Sequence, residues 1–381
     1  MDELQQLRGE IDVIDRQIAA LLQQRMDVTG RVGQYKLRHG MKVLDVERER
    51  QVLAAKAEMS DDPAVQSALV TLFEAIMAIS RRQQHQMVQE DSADYDAYLA
   101  ARAAARTPLD RPRVLYQGEP GAYADEAAEA FFGAQTCRSH VATWEEIFQA
   151  LQEGRADYGV VPIENSSTGS ILQVYDLLAR YGAYIVGEQT VRVSHCRLAP
   201  PGADLDGLRD VYSHEQGLSQ CAPFLKEHPA WAQHAMLNTA AAAKYVSETG
   251  DKTKAAIGSR RCAGLYGLEP LAQGINFNQN NFTRFVVVSP VMEKRPEADK
   301  ISVQFTLPNH SGTLHQIMSV FAVAGLNMVK LESRPIPGKS WEYLFFADFT
   351  GDLDELGGIV RELIQIATRF HILGNYQADG E

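Results

Sequence analysis

Apolar residues recur at steps of three and four along the N-terminal part of the chain. The series runs through Leu4, Leu7, Ile11, Ile14, Ile18, Leu21, Leu22, Val28 and Val32. This spacing predicts one amphipathic helix over about residues 3–38. A helix longer than about 25 residues usually needs a partner along its length. A second helix is predicted to start near residue 45, and a third carries residues 73–84, so the whole region is predicted to be helical.

The middle of the chain, residues 113–290, alternates β-branched runs with alanine-rich helical runs. This alternation is typical of an α/β domain. Four segments share a layout of strand, polar loop and helix, with the loop sequences QGEPGA, ENSSTGS, SHEQG and NT. Backbone N–H groups at such helix starts can bind an anion, although ordinary N-capping explains any one loop equally well. Four such loops favour convergence on an anionic ligand.

The last part of the chain, residues 299–378, gives a strand, a helix, two strands, a helix and a strand. This order predicts a small α+β sandwich of the split βαβ (ferredoxin-like) kind. Two linkers punctuate the chain, at residues 105–113 and 289–300, and each carries two prolines. They separate the helical region, the α/β region and the α+β region.

Composition narrows the function classes. The chain has 381 residues and a formal net charge of −12, without a basic run, so nucleic acid is an unexpected partner. The sequence suggests no membrane span, and the N-terminus lacks the apolar core of a signal peptide, which predicts a cytoplasmic protein. The four cysteines are far apart, and no zinc, phosphate-loop or dinucleotide motif is evident. We therefore expect no metal and no cofactor.

Several polar residues break the apolar stripes of the predicted helices. Arg8, Arg25 and Lys36 lie on the apolar side of the first helix, where an unpaired cation is costly. Snorkelling or internal ion pairs would explain each cation individually. Asp45 alone is more often an N-cap. Ser80 and Gln84 lie one turn apart on the apolar face of the third helix, where such a pair is more often a core hydrogen bond.

Taken together, these residues resemble a known family. The segments LRGEIDVIDRQIAALLQQR, VGQYKL, DVERER and LFEAIMAISRRQQ closely resemble the all-helical chorismate mutases over residues 4–88. The resemblance implies that Arg8 and Arg25 hold the carboxylates of chorismate, that Lys36 and Gln84 donate to its ether oxygen, that Asp45 and Glu49 bind the ring-hydroxyl region, that Arg48 positions the substrate, and that Ser80 contacts a carboxylate. A Claisen rearrangement needs no nucleophile, so cations and an amide donor suffice.

Helix geometry adds an expectation about assembly. Arg8 and Arg25 are 17 residues apart, which is roughly 26 Å along a straight helix. They cannot both hold one small dicarboxylate. If both belong to one site, Arg8 must come from a second chain, which predicts an intertwined homodimer with shared mutase sites.

The central region carries the motifs VPIENS, SHEQ, TAAAA, LYGLEPLAQGI and NFTRFVVV, in that order. With these motifs, residues 113–290 resemble prephenate dehydratases. By propensity alone Thr283 is a strand residue. The resemblance implies two α/β lobes with a cleft, like a periplasmic binding protein, and it ties Thr283 to catalysis. It makes Arg284 a candidate for structure or anion binding, and it places Asn165, Ser166, Thr168, Ser213, Gln216 and Thr239 on cleft loops. Glu215 stands where proline is usual, which weakens the case for His214.

The C-terminal region resembles an ACT domain, a small amino-acid-sensing module, on the segment HSGTLHQIMSVFAVAGLNMVKLESRP. Such a module in a dehydratase resembles a domain that senses phenylalanine, and the resemblance implies the same role here. Its two motifs correspond here to Gly312, Thr313 and Leu314 and to Glu332, Ser333, Arg334 and Pro335. Thr313 replaces the usual alanine. A dimerisation module that senses nothing is the alternative.

The whole chain resembles the bifunctional chorismate mutase–prephenate dehydratase family. The resemblance implies a mutase domain at 1–92, a helical extension and linker at 93–112, a dehydratase domain at 113–290 and an ACT domain at 299–378. It implies chorismate and prephenate as substrates, L-phenylalanine as a feedback inhibitor, and no cofactor. An amino-acid-sensing binding protein with vestigial catalytic domains is the alternative. A mutase–dehydrogenase fusion would need a dinucleotide fingerprint, and none is seen.

Overall fold

The structure is a computed structural model that describes residues 3–87, 92–309, 312–336, 338–339, 341–354 and 357–380. It divides into two compact units. The first unit combines Met1–Ala100 with Val303–His371, and the second combines Ala101–Ser302 with Ile372–Glu381. Each unit therefore contains segments that are distant in the sequence.

The helical region contains the three predicted helices and a fourth helix within the predicted helical extension. They are α1 (Glu3–Arg38), α2 (Val46–Ala57), α3 (Pro63–Met87) and α4 (Ala93–Ala103). α1 has the predicted bounds, and most of its apolar stripe is exposed, from Val32 at 41% to Leu21 at 64%, whereas Leu22 is half-buried. Gly30 and Gly33 are the residues of α1 that are buried, because α3 packs there. A Cβ atom at position 33 would lie 3.1 Å from Gln84 Cγ, so glycine allows the close approach of the two helices.

α3 departs from one expectation of the sequence analysis. Residues Pro63–Gln84 are long and apolar enough to cross a membrane, by length and composition, with a mean hydropathy of 1.4. This is weak evidence for a span, because the core helix of a helical domain has the same properties. α3 packs against α1 and α2.

The C-terminal region has the predicted order of elements. It consists of β12 (Lys300–Thr306), α12 (Thr313–Val323), β13 (Met328–Pro335), β14 (Tyr343–Thr350), α13 (Gly357–Ile366) and β15 (Arg369–Tyr376). The strand order is β13-β14-β12-β15, the ferredoxin-like arrangement. Phe321 of α12 stacks on Phe349 of β14, and α13 also packs against α3.

The second unit has two α/β lobes, as predicted. The first lobe contains β1 (Val114–Gln117), α5 (Tyr123–Phe132), β2 (Arg138–Val141), α6 (Trp144–Gln152), β3 (Tyr158–Asn165), β4 (Gly169–Ser170), α7 (Leu172–Tyr181) and β5 (Tyr184–Arg192), and it is completed by β11 (Phe282–Ser289). Its sheet has the order β2-β1-β3-β11-β5, and β4 pairs with β3. Val160 and Val287 are fully buried in its core.

The second lobe is built from the intervening residues. It contains β6 (His195–Ala199), β7 (Asp210–Ser213), α8 (Glu215–Gln220), α9 (Ala222–Lys226), β8 (Ala232–Ala235), α10 (Thr239–Thr249), β9 (Lys254–Ser259), α11 (Arg260–Tyr266) and β10 (Glu269–Gln273). Its sheet has the order β10-β6-β9-β7-β8. The chain therefore crosses between the lobes twice, after β5 and before β11, and a cleft separates the two sheets.

Candidate active sites

A cavity of about 620 Å³ lies between the two lobes of the second unit. All four loops that the sequence analysis singled out contribute to it. They supply Gln117 and Ala122, then Asn165, Thr168 and Ser170, then His214 and Gln216, and finally Leu237, Asn238 and Thr239. The four loops therefore meet at one cavity, and the anionic ligand that they were predicted to bind stays a prediction. N-capping also operates at two of them, because His214 Nδ1 accepts from Gln216 N at 3.2 Å and Asn238 Oδ1 accepts from Ala241 N at 2.8 Å.

Thr283 and Asn165 form a buried pair on the wall of this cavity. The two residues are opposite each other in the β3–β11 ladder. Asn165 Nδ2 donates to Thr283 Oγ1 at 2.9 Å, and Asn165 Oδ1 accepts from Thr168 N at 3.1 Å. The Thr283 oxygen thus receives one hydrogen bond, and its own hydrogen can point to a bound ligand.

Gln216 and Thr168 connect the two lobes at this cavity. Gln216 belongs to α8 of the second lobe, and Thr168 belongs to the loop after β3 in the first lobe. Gln216 Nε2 donates to Thr168 Oγ1 at 2.9 Å, and both side chains are exposed. Thr239, the first residue of α10, also lines the cavity. These three predicted residues therefore lie together with Thr283.

His195 and Tyr123 are among the cavity residues that the sequence analysis missed. His195, at the start of β6, is 2% exposed, with Nε2 2.9 Å from Gln220 Oε1 and Nδ1 3.3 Å from the Tyr123 hydroxyl. Burial lowers the pKa of His195, which favours the neutral imidazole. Burial also raises the pKa of Tyr123 well above its usual value. A single histidine in a β-branched run carries no motif of its own, so position in the fold is what reveals it.

Two predicted serines have structural contacts instead of lining the cavity. Ser213 is fully buried, and its hydroxyl donates to Ile257 O at 2.8 Å. Ser166 Oγ donates to Asn280 O at 3.1 Å and accepts from Phe282 N at 2.9 Å. Both side chains therefore fix the loops that carry their neighbours.

Arg284 lies on the opposite face of β11 from Thr283, because successive strand residues alternate. Its guanidinium is 3.1 Å from Glu188 Oε2 and 3.0 Å from Glu164 Oε2. Glu188 also accepts from Lys300 Nζ at 2.7 Å and from Asp379 N at 3.1 Å. Of the two roles that the sequence left open for Arg284, this network supports the structural one.

In the helical region, four predicted residues lie along the seam between α1 and α3. Arg25 Nη1 donates to Ser80 Oγ at 2.5 Å, and burial lowers the pKa of Arg25. Gln84 is 7% exposed and packs against Gly33. Lys36, one turn farther along α1, donates from Nζ to Val43 O at 2.5 Å.

The other predicted residues of this region are placed differently. Arg8 is exposed near the start of α1, far along the helix from Arg25. Asp45 caps α2 by accepting from Arg48 N at 3.0 Å, as the simpler interpretation expected, and the Arg48 side chain is exposed. Glu49 is bound by Arg81, whose Nη1 is 2.6 Å and 2.7 Å from its two oxygens. The sequence analysis did not single out Arg81, although it lies in the SRRQQ motif.

The two C-terminal motifs lie at the start of α12 and at the end of β13. Gly312 has a φ of 91° and caps α12, a conformation that favours glycine. Thr313 is buried and its hydroxyl donates to Pro308 O at 3.0 Å, whereas Leu314 is 37% exposed. Glu332 and Arg334 share one half-buried face of the edge strand β13, and Ser333 is on the exposed face.

Comparisons with known proteins identify both catalytic regions. The chorismate mutase type II family model matches residues 7–85, and the prephenate dehydratase model matches residues 114–293. The bifunctional chorismate mutase/prephenate dehydratase of Escherichia coli strain K12 is 33% identical over 98% of this chain and 96% of its own length. The chain belongs to this family. It rearranges chorismate to prephenate and converts prephenate to phenylpyruvate in phenylalanine biosynthesis.

Two solved structures resemble a larger part of this chain than the matched dehydratase segment alone. The prephenate dehydratase of Arthrobacter aurescens, in complex with L-Phe, has 29% identity and a TM-score of 0.63, and the match covers 70% of this chain and 89% of that one. GqqA, described as a novel type of quorum quenching acylase, has 30% identity and a TM-score of 0.64, with coverages of 70% and 98%. The dehydratase fold therefore occurs in proteins with different described activities.

Proposed function

We propose that prephenate reacts in the cavity between the two lobes, with Thr283 as the catalytic residue. The observation that carries this assignment is the buried Thr283–Asn165 pair, which faces the cavity where four loops converge. In the reaction the bond from the ring to its carboxylate breaks and releases carbon dioxide. The electron pair enters the ring, and the hydroxyl on the opposite ring carbon leaves as water after it takes up a proton.

In this proposal, Thr283 donates a hydrogen bond to the leaving oxygen. A threonine hydroxyl is a poor proton source at neutral pH, so its contribution is stabilisation of the developing charge. Asn165 fixes the threonine rotamer, and the polar groups of Gln216, Thr168 and Thr239 face the substrate carboxylates. Tyr123 of the first lobe and His195 of the second lobe also line the cavity with polar groups.

Replacement of Thr283 by valine tests the assignment, because valine keeps the shape and removes the hydroxyl. We expect a fall of at least about 100-fold in phenylpyruvate formation from prephenate. T283S is the matched control and should retain most of the activity. Chorismate consumption by the same chain should not change. Near-native dehydratase turnover in T283V would refute the assignment.

We further infer that the mutase site is shared between two chains. Arg25 and Ser80 bind one carboxylate, Lys36 and Gln84 donate to the ether oxygen, and the first turns of α2 (Asp45, Arg48 and Glu49) bind the ring-hydroxyl region. Arg8 of a second copy binds the other carboxylate, because Arg8 of the same chain is roughly 26 Å away along α1. The exposed apolar stripe of α1 supports this assembly, since a second copy would cover it.

Mixing two inactive variants tests the shared site. R8A and R25A chains each lack a group that every homodimer site needs. A heterodimer of the two has one intact site, so a statistical mixture should recover about one quarter of the native site number. A mixture that remains as inactive as its components after unfolding and refolding together would exclude a shared site.

We also propose that the C-terminal region is an ACT domain that binds L-phenylalanine at Gly312, Thr313 and Leu314 and at Glu332, Ser333 and Arg334. The ferredoxin-like strand order supports the domain, and a similar dehydratase was solved with L-Phe. Titration with L-phenylalanine should lower the activity of the enzyme, and the R334M variant should require more of it. Unchanged activity at saturating amino acid would remove this proposal. A cytoplasmic location accords with both substrates.

A further inference from the structure

Arg81 of α3 is a buried cation that no assigned role explains. It directly follows Ser80, and its side chain is 9% exposed. Its Nη1 is within 2.7 Å of both oxygens of Glu49, a residue of α2. A buried cation is costly unless it is paired, so this contact fixes both side chains.

A second carboxylate lies beside the same guanidinium. Glu362 of α13 is 1% exposed, and its Oε1 is 3.5 Å from Arg81 Nε. Arg82 Nε is 4.0 Å from Glu362 Oε2. Burial raises the pKa of Glu362, and the charges of Arg81 and Arg82 oppose this rise. Arg81 is therefore held from the α13 side as well as from the α2 side.

The pairing with Arg81 determines how Glu49 can act. An unpaired glutamate on the surface of α2 would sample several rotamers, whereas the contact with Arg81 restricts it. Each carboxylate oxygen has two lone pairs, so an oxygen that accepts from Arg81 can still accept from a ligand hydroxyl. Glu49 thus becomes a fixed acceptor against α3, the helix that also carries Ser80 and Gln84.

We propose that Arg81 is a positioning residue of the chorismate rearrangement, which holds Glu49 for the ring hydroxyl of chorismate while Glu362 of α13 holds Arg81. The proposal rests on the assignment of Glu49 to the mutase site. It also means that an element of the C-terminal module contacts the support of the mutase site.

The test compares R81K, R81M, E49Q and the double variant R81M/E49Q. R81K keeps the buried positive charge but lacks the guanidinium that contacts Glu49. A loss of activity in R81K therefore measures the loss of Glu49 positioning and not the loss of charge. We expect kcat/KM for chorismate to fall at least about tenfold in R81K and further in R81M. The double variant should be no worse than the more impaired single variant, because both substitutions remove one function.

A substrate analogue supplies the readout that a purely structural role would not change. For a chorismate analogue without the ring hydroxyl, R81K should react within about threefold of the native enzyme, because Glu49 then has no hydroxyl to bind. R50Q is the matched control, since it removes an exposed ion pair with Glu47 on the same helix, at 2.9 Å. It should leave both substrates unaffected.

The outcomes separate this proposal from the assignment on which it rests. A native-like E49Q would remove the assignment of Glu49 and this proposal together. An impaired E49Q with a native-like R81K and R81M would overturn this proposal alone. Equal losses of R81K on chorismate and on the analogue would also overturn it, because they would indicate a general loss of structure. Circular dichroism of each variant confirms that the helices are formed.

Discussion

The dehydratase cavity and the mutase helices differ in how complete each is within one chain. The cavity is closed by two lobes of the same chain, and Thr283, Asn165, Gln216 and Thr239 all contribute to it or to its hydrogen bonds. The candidate mutase groups are spread over α1, the start of α2 and α3, and Arg8 is far along α1 from Arg25. On our proposals, the chain therefore carries one site that folding alone completes and one that the assembly of two chains completes.

The first prediction concerns a variant that cannot assemble with a second copy through α1. A charge in the α1 stripe, as in I14E, should prevent a second copy from covering it and should reduce mutase activity at least about 100-fold. Dehydratase turnover should stay near native. Q23E adds the same charge on the opposite face of α1 and is the control. Sedimentation should show monomers for I14E only, and a dimeric, fully active I14E would contradict the shared site.

A second prediction concerns the buried ion network behind β11, the strand that carries Thr283. K300M removes a cation that contacts Glu188, which in turn holds Arg284 next to Thr283. Because one partner of a buried ionic cluster is lost, we expect a destabilisation of about 3 kcal/mol. Thermal inactivation of the dehydratase measures it. R155M, which breaks an exposed pair with Glu153, should have no measurable effect. An unchanged inactivation temperature in K300M would mean that Glu188 is satisfied without it.

A third prediction is a weak pH dependence of the free energy of unfolding, caused by His195 in the second lobe. Burial lowers the pKa of His195 in the folded chain, so below about pH 6.5 the unfolded chain binds more protons. Stability is therefore lost as the pH falls below that value, by at most about 1.4 kcal/mol per pH unit. Urea unfolding between pH 7 and pH 5.5 should show a shallower slope for H195Q than for the native chain. Equal slopes would show that His195 does not contribute.

Local patterns predicted much of the fold. The three- and four-residue spacing of apolar residues predicted the bounds of α1. The repeated layout of strand, loop and helix predicted the four loops that meet at the cavity. These features depend on neighbours in the sequence. Asp45 as a helix cap follows from the same kind of local rule.

Contacts between distant segments could not be predicted. Arg284 pairs with Glu188, and Arg81 pairs with Glu49. The members of each pair are far apart in the sequence, so the local spacing of residues does not predict the contact. Ser213 follows the pattern of a cleft loop, but its hydroxyl is buried against Ile257 O. A motif locates a loop near a site, and long-range packing decides which side chains of that loop face the ligand.

The hydrogen bond between Gln216 and Thr168 affects how ligands enter and leave the cavity. It joins the lobes by two exposed side chains, and such a bond has a net worth of only about 1 kcal/mol. Thermal motion breaks a link of this strength frequently. If prephenate reacts in this cavity as we propose, breaking this bond adds little to the free-energy barrier for substrate entry and for release of carbon dioxide.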